Sequence, residues 1–362
     1  MDDTVLVSTL GMFIIDTFRF EDEQTGASLG DRGLGEQIGG GGTYFAVGAR
    51  MCLSPDKVMM TVDRGSDFTS EIQEKLDIYS KPDQPHSLWR FRQRKDGTTK
   101  AVNIYRGEER GFAYLSPKIR LDPVDLLDDL HTKLPPFIHC ICSPERASEM
   151  IKQIKGMPDK WPAGRQPNLI WEPIPDSAIE ENLPKALKVS KSVSVLSPNH
   201  EEAASLLGVK LSKEVSMSSI EDLATQLYHR IRDDQDSDGS VPIICIRAGA
   251  LGSLVCLQNA DLHWIPAFHT NDQVDKIVDV TGAGNAYLGG FTVGLALTGP
   301  EKTDWSTEHI IRAARMGSVS AALTIEQTGL PNITVCNDGK GELWNGDTIA
   351  NRLRQLEERV DE

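Results

Sequence analysis

Short apolar runs, many of them β-branched, alternate along this chain with helix-compatible stretches. The predicted strands are Thr4–Leu10, Lys57–Val62, Phe137–Ile141, Asn168–Trp171, Ser192–Leu196 and Pro242–Ile246. The predicted helices are Thr43–Met51, Phe68–Leu76, Pro144–Lys155, Glu201–Leu207, Ile220–Arg232, Ala286–Leu297 and Thr307–Leu323. This alternation predicts an α/β fold with a mostly parallel sheet covered on both faces. Because crossovers are right-handed, the carboxyl ends of the strands share one edge, where ligands bind.

Two segments interrupt the alternation. Residues 17–38 are polar and rich in glycine, and residues 86–116 hold two alternating runs on either side of Asp96-Gly97. Alternating runs around Asp-Gly are typical of a β-hairpin. We therefore predict one domain over residues 1–362, with a small β lid built from these two segments.

The second segment is locally basic, and it has two interpretations. Its basic residues either meet phosphate or form the solvated face of an edge strand. They are Arg90, Arg92, Arg94, Lys95 and Lys100. The aromatic residues Trp89 and Phe91 could join two lids in a homodimer, although such residues more often cover their own domain.

Composition narrows the function classes. A net charge of −15 over 362 residues argues against a general nucleic-acid or anionic-membrane surface. The six cysteines form neither a disulfide framework nor a Cys-x-x-Cys zinc pattern. The acidic amino terminus does not resemble a signal peptide, and no apolar run is long enough to span a membrane. The cytoplasm is therefore the expected compartment.

The segment Ile277–Phe291 carries the strongest chemical signal. A β-like run, Ile277–Val280, leads into Thr281-Gly282-Ala283-Gly284 and then into a helix-compatible run. Small residues before a helix let backbone N–H groups approach an anion, and the helix amino end adds partial positive charge. The pattern predicts a phosphate cradle, although a tight strand-to-helix turn would have the same glycines. Gly289-Gly290 inside the helix costs about 1 kcal/mol per residue relative to alanine, and close backbone packing would explain that cost.

The segment Asp279–Gly290 resembles the second signature of the PfkB/ribokinase carbohydrate kinase family. Other family landmarks follow in the same order along the chain, and together they extend the resemblance from about residue 5 to residue 333. They are Gly11–Asp16, Gly39–Ala46, Ser197–Glu202 and Arg247–Gly252. The resemblance implies a three-layer α/β/α ribokinase-like fold with a small β lid. One combination of residues looks most like a fungal branch of this family, the branch associated with maintenance of a yeast killer virus. The combination is Tyr44, Trp171-Glu172-Pro173, Arg247-Ala248-Gly249 and Gly282-Ala283-Gly284-Asn285.

The resemblance implies a site for ATP and Mg²⁺. Gly282, Ala283 and Gly284 would form the anion hole for the γ-phosphoryl group. Asn199 and Glu202 would lie near the triphosphate and its magnesium ion. The nucleotide would rest against Arg247, Gly249 and Gly252, with residues 313–324 and the loop to residue 333 as the adenine wall. The resemblance further implies Asp279 and Thr281 as ligands of a monovalent cation such as K⁺.

A second set of residues would bind the phosphate acceptor. The resemblance implies this role for Asp16, Gly40, Gly41 and Tyr44. Tyr44 replaces the sugar-contacting asparagine of the family, so a standard pentose or hexose pocket is not expected. Arg247 also departs from the family, replacing a threonine, and Glu172 stands where an aspartate precedes proline.

The most consequential departure is Asn285, which occupies the position of the catalytic aspartate. An amide cannot take the proton of the accepting hydroxyl near neutral pH, whereas a carboxylate can. Asp279, the nearest carboxylate in sequence, precedes the turn and is not expected to reach that hydroxyl.

Two functions stay open. The first is an ATP-dependent phosphotransferase, slow or using another base, that acts on a hydroxyl of a small sugar- or nucleoside-like molecule. The second is a nucleotide-binding pseudokinase that acts as a scaffold or regulator.

Overall fold

The computed structural model describes residues 5–81, 88–107, 109–234, 241–336 and 341–361. The strands are β1 Val7–Thr9, β2 Ile14–Glu21, β3 Gln37–Gly39, β4 Val58–Arg64, β5 Trp89–Gln93, β6 Lys100–Arg106, β7 Glu109–Tyr114, β8 Phe137–Ile141, β9 Asn168–Glu172, β10 Val195–Leu196, β11 Ile243–Arg247, β12 Ser253–Cys256, β13 Leu262–Ile265, β14 Ile333–Cys336 and β15 Gly341–Trp344. The helices are α1 Gly41–Arg50, α2 Ser70–Asp77, α3 Pro144–Lys155, α4 Leu183–Ser190, α5 His200–Leu206, α6 Met217–Arg232, α7 Ala283–Thr298, α8 Thr307–Ile325 and α9 Ile349–Asp361.

A large sheet runs through the centre of the molecule. Its strand order in the described ranges is β13-β12-β11-β10-β9-β8-β1-β4-β5. Neighbouring strands are parallel from β5 to β11, and β12 and β13 are antiparallel. This confirms the predicted α/β architecture with its mostly parallel sheet.

Helices cover both faces of the sheet, each over its own apolar core. On one face α1, α7 and α8 pack together around Phe45, Leu288 and Val319. On the other face α3, α4 and α6 pack around Ile151, Val189 and Leu223. The strands alternate between the two cores, as in β9, where Ile170 faces the first and Leu169 and Trp171 face the second. Burial on both faces explains why the central strands are mostly apolar.

The glycine pair inside α7 is explained by helix packing. A methyl group on Gly289 would lie 2.3 Å from the carbonyl oxygen of Phe45, and one on Gly290 would lie 2.6 Å from that of Met316. The backbones of α1 and α8 therefore approach α7 more closely than a side chain would permit. This confirms the interpretation drawn from the sequence.

Gly289→Ala should destabilise the protein, although alanine is the better helix former by about 1 kcal/mol. The added methyl group must push α1 away, and such overpacking typically costs about 1–3 kcal/mol. Urea denaturation should therefore show a lower free energy of unfolding for the variant. A more stable variant would mean that α1 and α7 are farther apart than described.

A small second sheet is present where the lid was predicted, but its strands differ from the prediction. It is a sheet of order β3-β2-β6-β7, in which β2 pairs with β6 in parallel. The predicted hairpin around Asp96-Gly97 is wrong, because β5 pairs with β4 in the central sheet and only β6 enters the lid. The lid hairpin joins β6 to β7 instead. Residues 86, 87 and 108 of the predicted segment lie outside the described residues.

The position of β5 also decides the role of its side chains. Trp89 is buried and donates its indole N–H to the carbonyl oxygen of Leu76, so it covers its own domain and is not available to join two lids. Arg90 pairs with Asp128, and Arg92 pairs with Asp63 and Asp125. The basic residues of β5 therefore form the ion-paired face of an edge strand.

The run Ile277–Val280 is not a strand. Val278 and Val280 are largely exposed, and the N–H groups of Val278 and Asp279 donate to the carbonyl oxygen of Ile325 at the end of α8. The predicted strand-to-helix turn is thus an extended segment, held by α8, that enters α7.

Candidate functional site

Two predicted site residues, Asn199 and Arg247, meet Gly11 and Glu172 where the parallel strands end. Gly11 follows β1, Glu172 ends β9, Asn199 follows β10 and Arg247 ends β11. The amino end of α7 points into the same edge of the sheet, with Gly282 in the left-handed conformation at φ 78°. Sequence spacing alone separates these residues by more than two hundred positions, and the sheet topology brings them together.

The first turn of α7 is open to solvent on one side. Gly282, Ala283, Gly284 and Asn285 are each partly exposed. Beside this turn lies a cavity of about 250 Å³, which we call the α7 cavity. It is lined by Gly249, Gly252, Ala283, Tyr287, Ser318, Ala321 and Ile325, among others. Two glycines predicted to contact the nucleotide and part of the predicted adenine wall therefore line the same cavity.

A second cavity, of about 120 Å³, lies under the lid, and we call it the lid cavity. Its lining includes Gly11, Gly41, Tyr114, Ile141 and Arg146. A methyl group on Gly41 would lie 3.1 Å from Nδ2 of Asn285, so the base position adjoins this cavity. Asn285 lines neither cavity, but it adjoins Gly41 of the lid cavity and lies two positions after Ala283 of the α7 cavity.

The other predicted acceptor residues lie outside the lining of the lid cavity. Asp16, on β2, is buried beside Gly39, where a side chain would meet its carboxylate. Gly40 precedes α1 at φ 93°. Tyr44 is also buried, and its ring lies under Gly282, since a methyl group there would be 2.2 Å from Cγ of the ring. The ring of Tyr44 thus packs directly against the backbone of the predicted anion hole.

Glu172 is the centre of the site, a role that the sequence did not reveal. Its carboxylate is buried, and its Oε2 accepts hydrogen bonds from Nδ2 of Asn285 at 2.8 Å and Nε2 of His139 at 3.1 Å. Its Oε1 pairs with Nη1 of Arg247 at 2.7 Å. Burial alone would raise the pKa of Glu172, but these three partners hold it below its ordinary value. Glu172 is therefore a carboxylate at neutral pH.

His139 continues this network into the core. Its ring stacks on Phe45 with centroids 4.1 Å apart, and its Nδ1 lies 2.9 Å from Oγ1 of Thr9. Burial lowers the pKa of His139, so the ring is neutral and its Nε2–H can donate to Glu172. Two sequence features could have drawn attention to these residues, namely a histidine inside the apolar run Phe137–Cys142 and a glutamate directly after the predicted strand Asn168–Trp171.

The predicted magnesium residues do not fit a cation held directly by Glu202. Asn199 and Glu202 close a capping box, in which Oε2 of Glu202 accepts the N–H of Asn199 at 2.8 Å. The same oxygen lies 3.4 Å from Nη2 of Arg247, whose charge would repel a divalent ion. Burial raises the pKa of Glu202 to about 7. Within the described ranges, no group of three or more His, Cys, Asp or Glu side chains is arranged to hold a metal ion.

Asp279 and Thr281, predicted for a monovalent cation, form a local turn. Oδ1 of Asp279 accepts the N–H of Thr281 at 2.9 Å. Both residues are partly exposed beside the first turn of α7.

The far wall of the α7 cavity is tied to the carboxyl-terminal helix. His269 lines the cavity, and its Nε2 lies 3.1 Å from Oε1 of Glu326. Arg352 of α9 donates to the same oxygen at 2.6 Å, and Asn345 donates to Oε2 at 2.8 Å. Burial opposes ionisation here, but these hydrogen bonds outweigh it and lower the pKa of Glu326 to about 2. Glu326 is therefore a carboxylate at neutral pH, and its ion pair with Arg352 ties this wall of the cavity to α9.

Acid should weaken this wall. Because the folded pKa of Glu326 lies below its ordinary value of 4.5, its contribution is complete above pH 4.5 and is lost as the pH falls toward 2. The contribution is on the order of 3 kcal/mol at most. Denaturation followed between pH 5 and 2 should therefore show a shallower loss of stability in Glu326→Gln. Equal slopes for the two proteins would contradict this assignment.

In the part of the chain that the structure describes, no helix is both long and apolar enough to cross a bilayer.

Comparison with known proteins gives the family. The profile of the pfkB family carbohydrate kinases matches residues 170–334. Protein MAK32 of Saccharomyces cerevisiae is 31% identical over 372 aligned residues, covering 96% of this chain and 91% of MAK32, which confirms the fungal affinity. The ribokinase of Giardia lamblia superposes with a TM-score of 0.66 at 17% identity, covering 98% of this chain and all of the ribokinase. The ribokinase of Cryptococcus neoformans in complex with ADP gives 0.64 at 17% identity, covering 98% and 99%. The chain therefore belongs to the pfkB family of carbohydrate kinases and has the ribokinase fold.

Proposed function

We propose that this chain is a phosphotransferase that moves the γ-phosphoryl group of ATP to a hydroxyl of a small sugar- or nucleoside-like molecule. The nucleotide occupies the α7 cavity, with its terminal phosphate at the amino end of α7, against Gly282, Ala283 and Gly284. The acceptor occupies the lid cavity, so that its hydroxyl meets the phosphate beside Asn285.

The observation that carries this proposal is the carboxylate of Glu172, 2.8 Å from the amide of Asn285. A general base must lie within hydrogen-bond reach of the hydroxyl, directly or through one water molecule. Residue 285 cannot serve, but Glu172 is ionised and adjoins that position. As the acceptor oxygen bonds to phosphorus, its proton passes to Glu172 and the bond to the bridging oxygen of ADP breaks. Glu172 then releases the proton to solvent.

The test compares wild type with Glu172→Gln and, as a matched control, the exposed Glu201→Gln. Release of ADP from ATP is measured with a panel of ribose, fructose, adenosine and guanosine. We expect acceptor-dependent release by wild type and by the control, and a loss of about 10²–10⁴-fold in Glu172→Gln, the range for a positioned base. Equal turnover in all three proteins would contradict the role of Glu172.

Asn285 favours a second candidate, a pseudokinase that binds nucleotide without transferring phosphate. In that case calorimetry would show ADP binding by wild type, and no acceptor would release ADP. Absence of nucleotide binding would exclude both functions.

A further inference from the structure

Arg247 places a permanent positive charge at the amino end of α7. Its Nη1 pairs with Glu172 at 2.7 Å, and its Nη2 donates to the carbonyl oxygen of Ser197 at 3.1 Å. The side chain is only 12% exposed. Its buried Nε makes no hydrogen bond within the described ranges. The guanidinium is thus fixed in place but not saturated.

The guanidinium lies against the backbone that would hold phosphate. A methyl group on Gly284 would be 2.1 Å from Nη1 of Arg247, so only glycine at this position lets the cation approach the helix. The amino end of a helix attracts anions through its N–H groups and its dipole. An arginine beside it supplies further donors with the geometry that suits phosphate.

The carboxylate expected to organise magnesium is occupied by the same cation. Oε2 of Glu202 faces Nη2 of Arg247 at 3.4 Å and accepts the N–H of Asn199 at 2.8 Å. A divalent ion bound to Oε2 would stand beside a guanidinium and would have to break the capping box. Arg247 and a magnesium ion would therefore compete for Oε2 of Glu202.

We propose that the guanidinium of Arg247, and not a divalent cation on Glu202, neutralises the nucleotide's phosphate charge, so that the wild-type protein binds nucleotide without magnesium. This inference rests on the nucleotide site of the proposed function. It also predicts what removal of the arginine leaves behind. Without Arg247, Glu172 and Glu202 lose their shared cation near the phosphates, an arrangement that disfavours the free nucleotide and favours Mg²⁺.

The experiment titrates ADP calorimetrically into wild type, Arg247→Thr and Arg247→Lys, each in EDTA and in excess Mg²⁺. Threonine is the residue that the family resemblance places at this position. The matched control is Arg92→Thr, which removes an arginine paired with two carboxylates, Asp63 and Asp125, on the edge strand β5.

We expect wild type and Arg92→Thr to bind ADP equally well in EDTA and in Mg²⁺. Arg247→Thr should bind at least about tenfold more weakly in EDTA, the loss expected for a charged hydrogen bond, and Mg²⁺ should restore its affinity. Arg247→Lys, which keeps the charge, should need Mg²⁺ less than the threonine variant.

Two outcomes would overturn the inference and leave the nucleotide site intact. One is a wild type whose own affinity drops about tenfold or more in EDTA. The other is an Arg247→Thr variant whose affinity is unchanged, or whose loss is the same with and without Mg²⁺, since a purely structural arginine would behave in that way. A wild type that binds no ADP under either condition would instead remove the proposed function, and the inference with it.

Discussion

Exchanging the carboxylate and the amide, in the double variant Glu172→Gln/Asn285→Asp, should restore rapid phosphate transfer. Nδ2 of Asn285 donates to Oε2 of Glu172 at 2.8 Å. After the exchange, the amide of residue 172 can donate to the carboxylate of residue 285, so the hydrogen bond is kept in the opposite direction. The exchange moves the proton acceptor onto the first turn of α7, beside the lid cavity. We expect the double variant to exceed Glu172→Gln by about 10²-fold or more in ADP release with the same acceptor panel.

The single variant Asn285→Asp is the control for this exchange. It places two carboxylates in contact, and two such groups cannot both ionise freely. One of them then holds a proton at neutral pH, and Arg247 must pair with a crowded cluster. We expect the single variant to turn over more slowly than the double variant. A single variant that is as fast as the double variant would show that Glu172 does not touch residue 285 during the reaction.

Removing the ring of Tyr44 should cause the largest loss of stability. Tyr44 is 4% exposed, and its ring fills the space directly under Gly282. Replacement of a large buried aromatic residue by alanine typically costs about 3–5 kcal/mol. Because Gly282 loses its support, the backbone N–H groups of the proposed anion hole should also lose their alignment. We expect Tyr44→Ala to unfold at a lower urea concentration and to bind ADP more weakly.

Tyr44→Phe separates the ring from the hydroxyl group. It keeps the packing under Gly282, so we expect ADP affinity close to that of wild type. If Tyr44→Ala instead bound ADP normally while Tyr44→Phe changed the response to acceptors, Tyr44 would be a residue of the acceptor site, as the family resemblance implies, and not a support for the anion hole.

The architecture could be predicted because strands that are buried on both faces leave short apolar runs in the sequence, and these runs alternate with helical stretches. Helix α3 was predicted with its observed bounds, Pro144–Lys155, since Ser143 caps its first turn and proline begins it. The lid was harder to predict. Alternating polar and apolar residues show that β5 and β6 are strands, but they do not show which neighbours these strands pair with. The burial of Trp89 in the central core, which only the tertiary structure reveals, assigns β5 to the large sheet.

The candidate site divides in the same way. The turns at Gly249, Gly252 and Gly282 could be predicted, because small residues at turns have local sequence signals. The contact between Glu172 and Asn285 could not, because 113 positions separate the two residues and neither belongs to a local motif with the other. Arg247 was recognised as a departure, but its pairing with Glu172 and Glu202 depends on three strand ends meeting at one edge.

Titration of ADP into wild type and into Ala321→Trp tests the central claim that the α7 cavity holds the nucleotide. Ala321 lines that cavity from α8, whereas Glu172 and Asn285 do not line it, and a tryptophan at position 321 should fill it. We predict saturable binding of one ADP per chain by wild type and none by the variant. A variant that folds and binds ADP as tightly as wild type would place the nucleotide elsewhere and contradict the account.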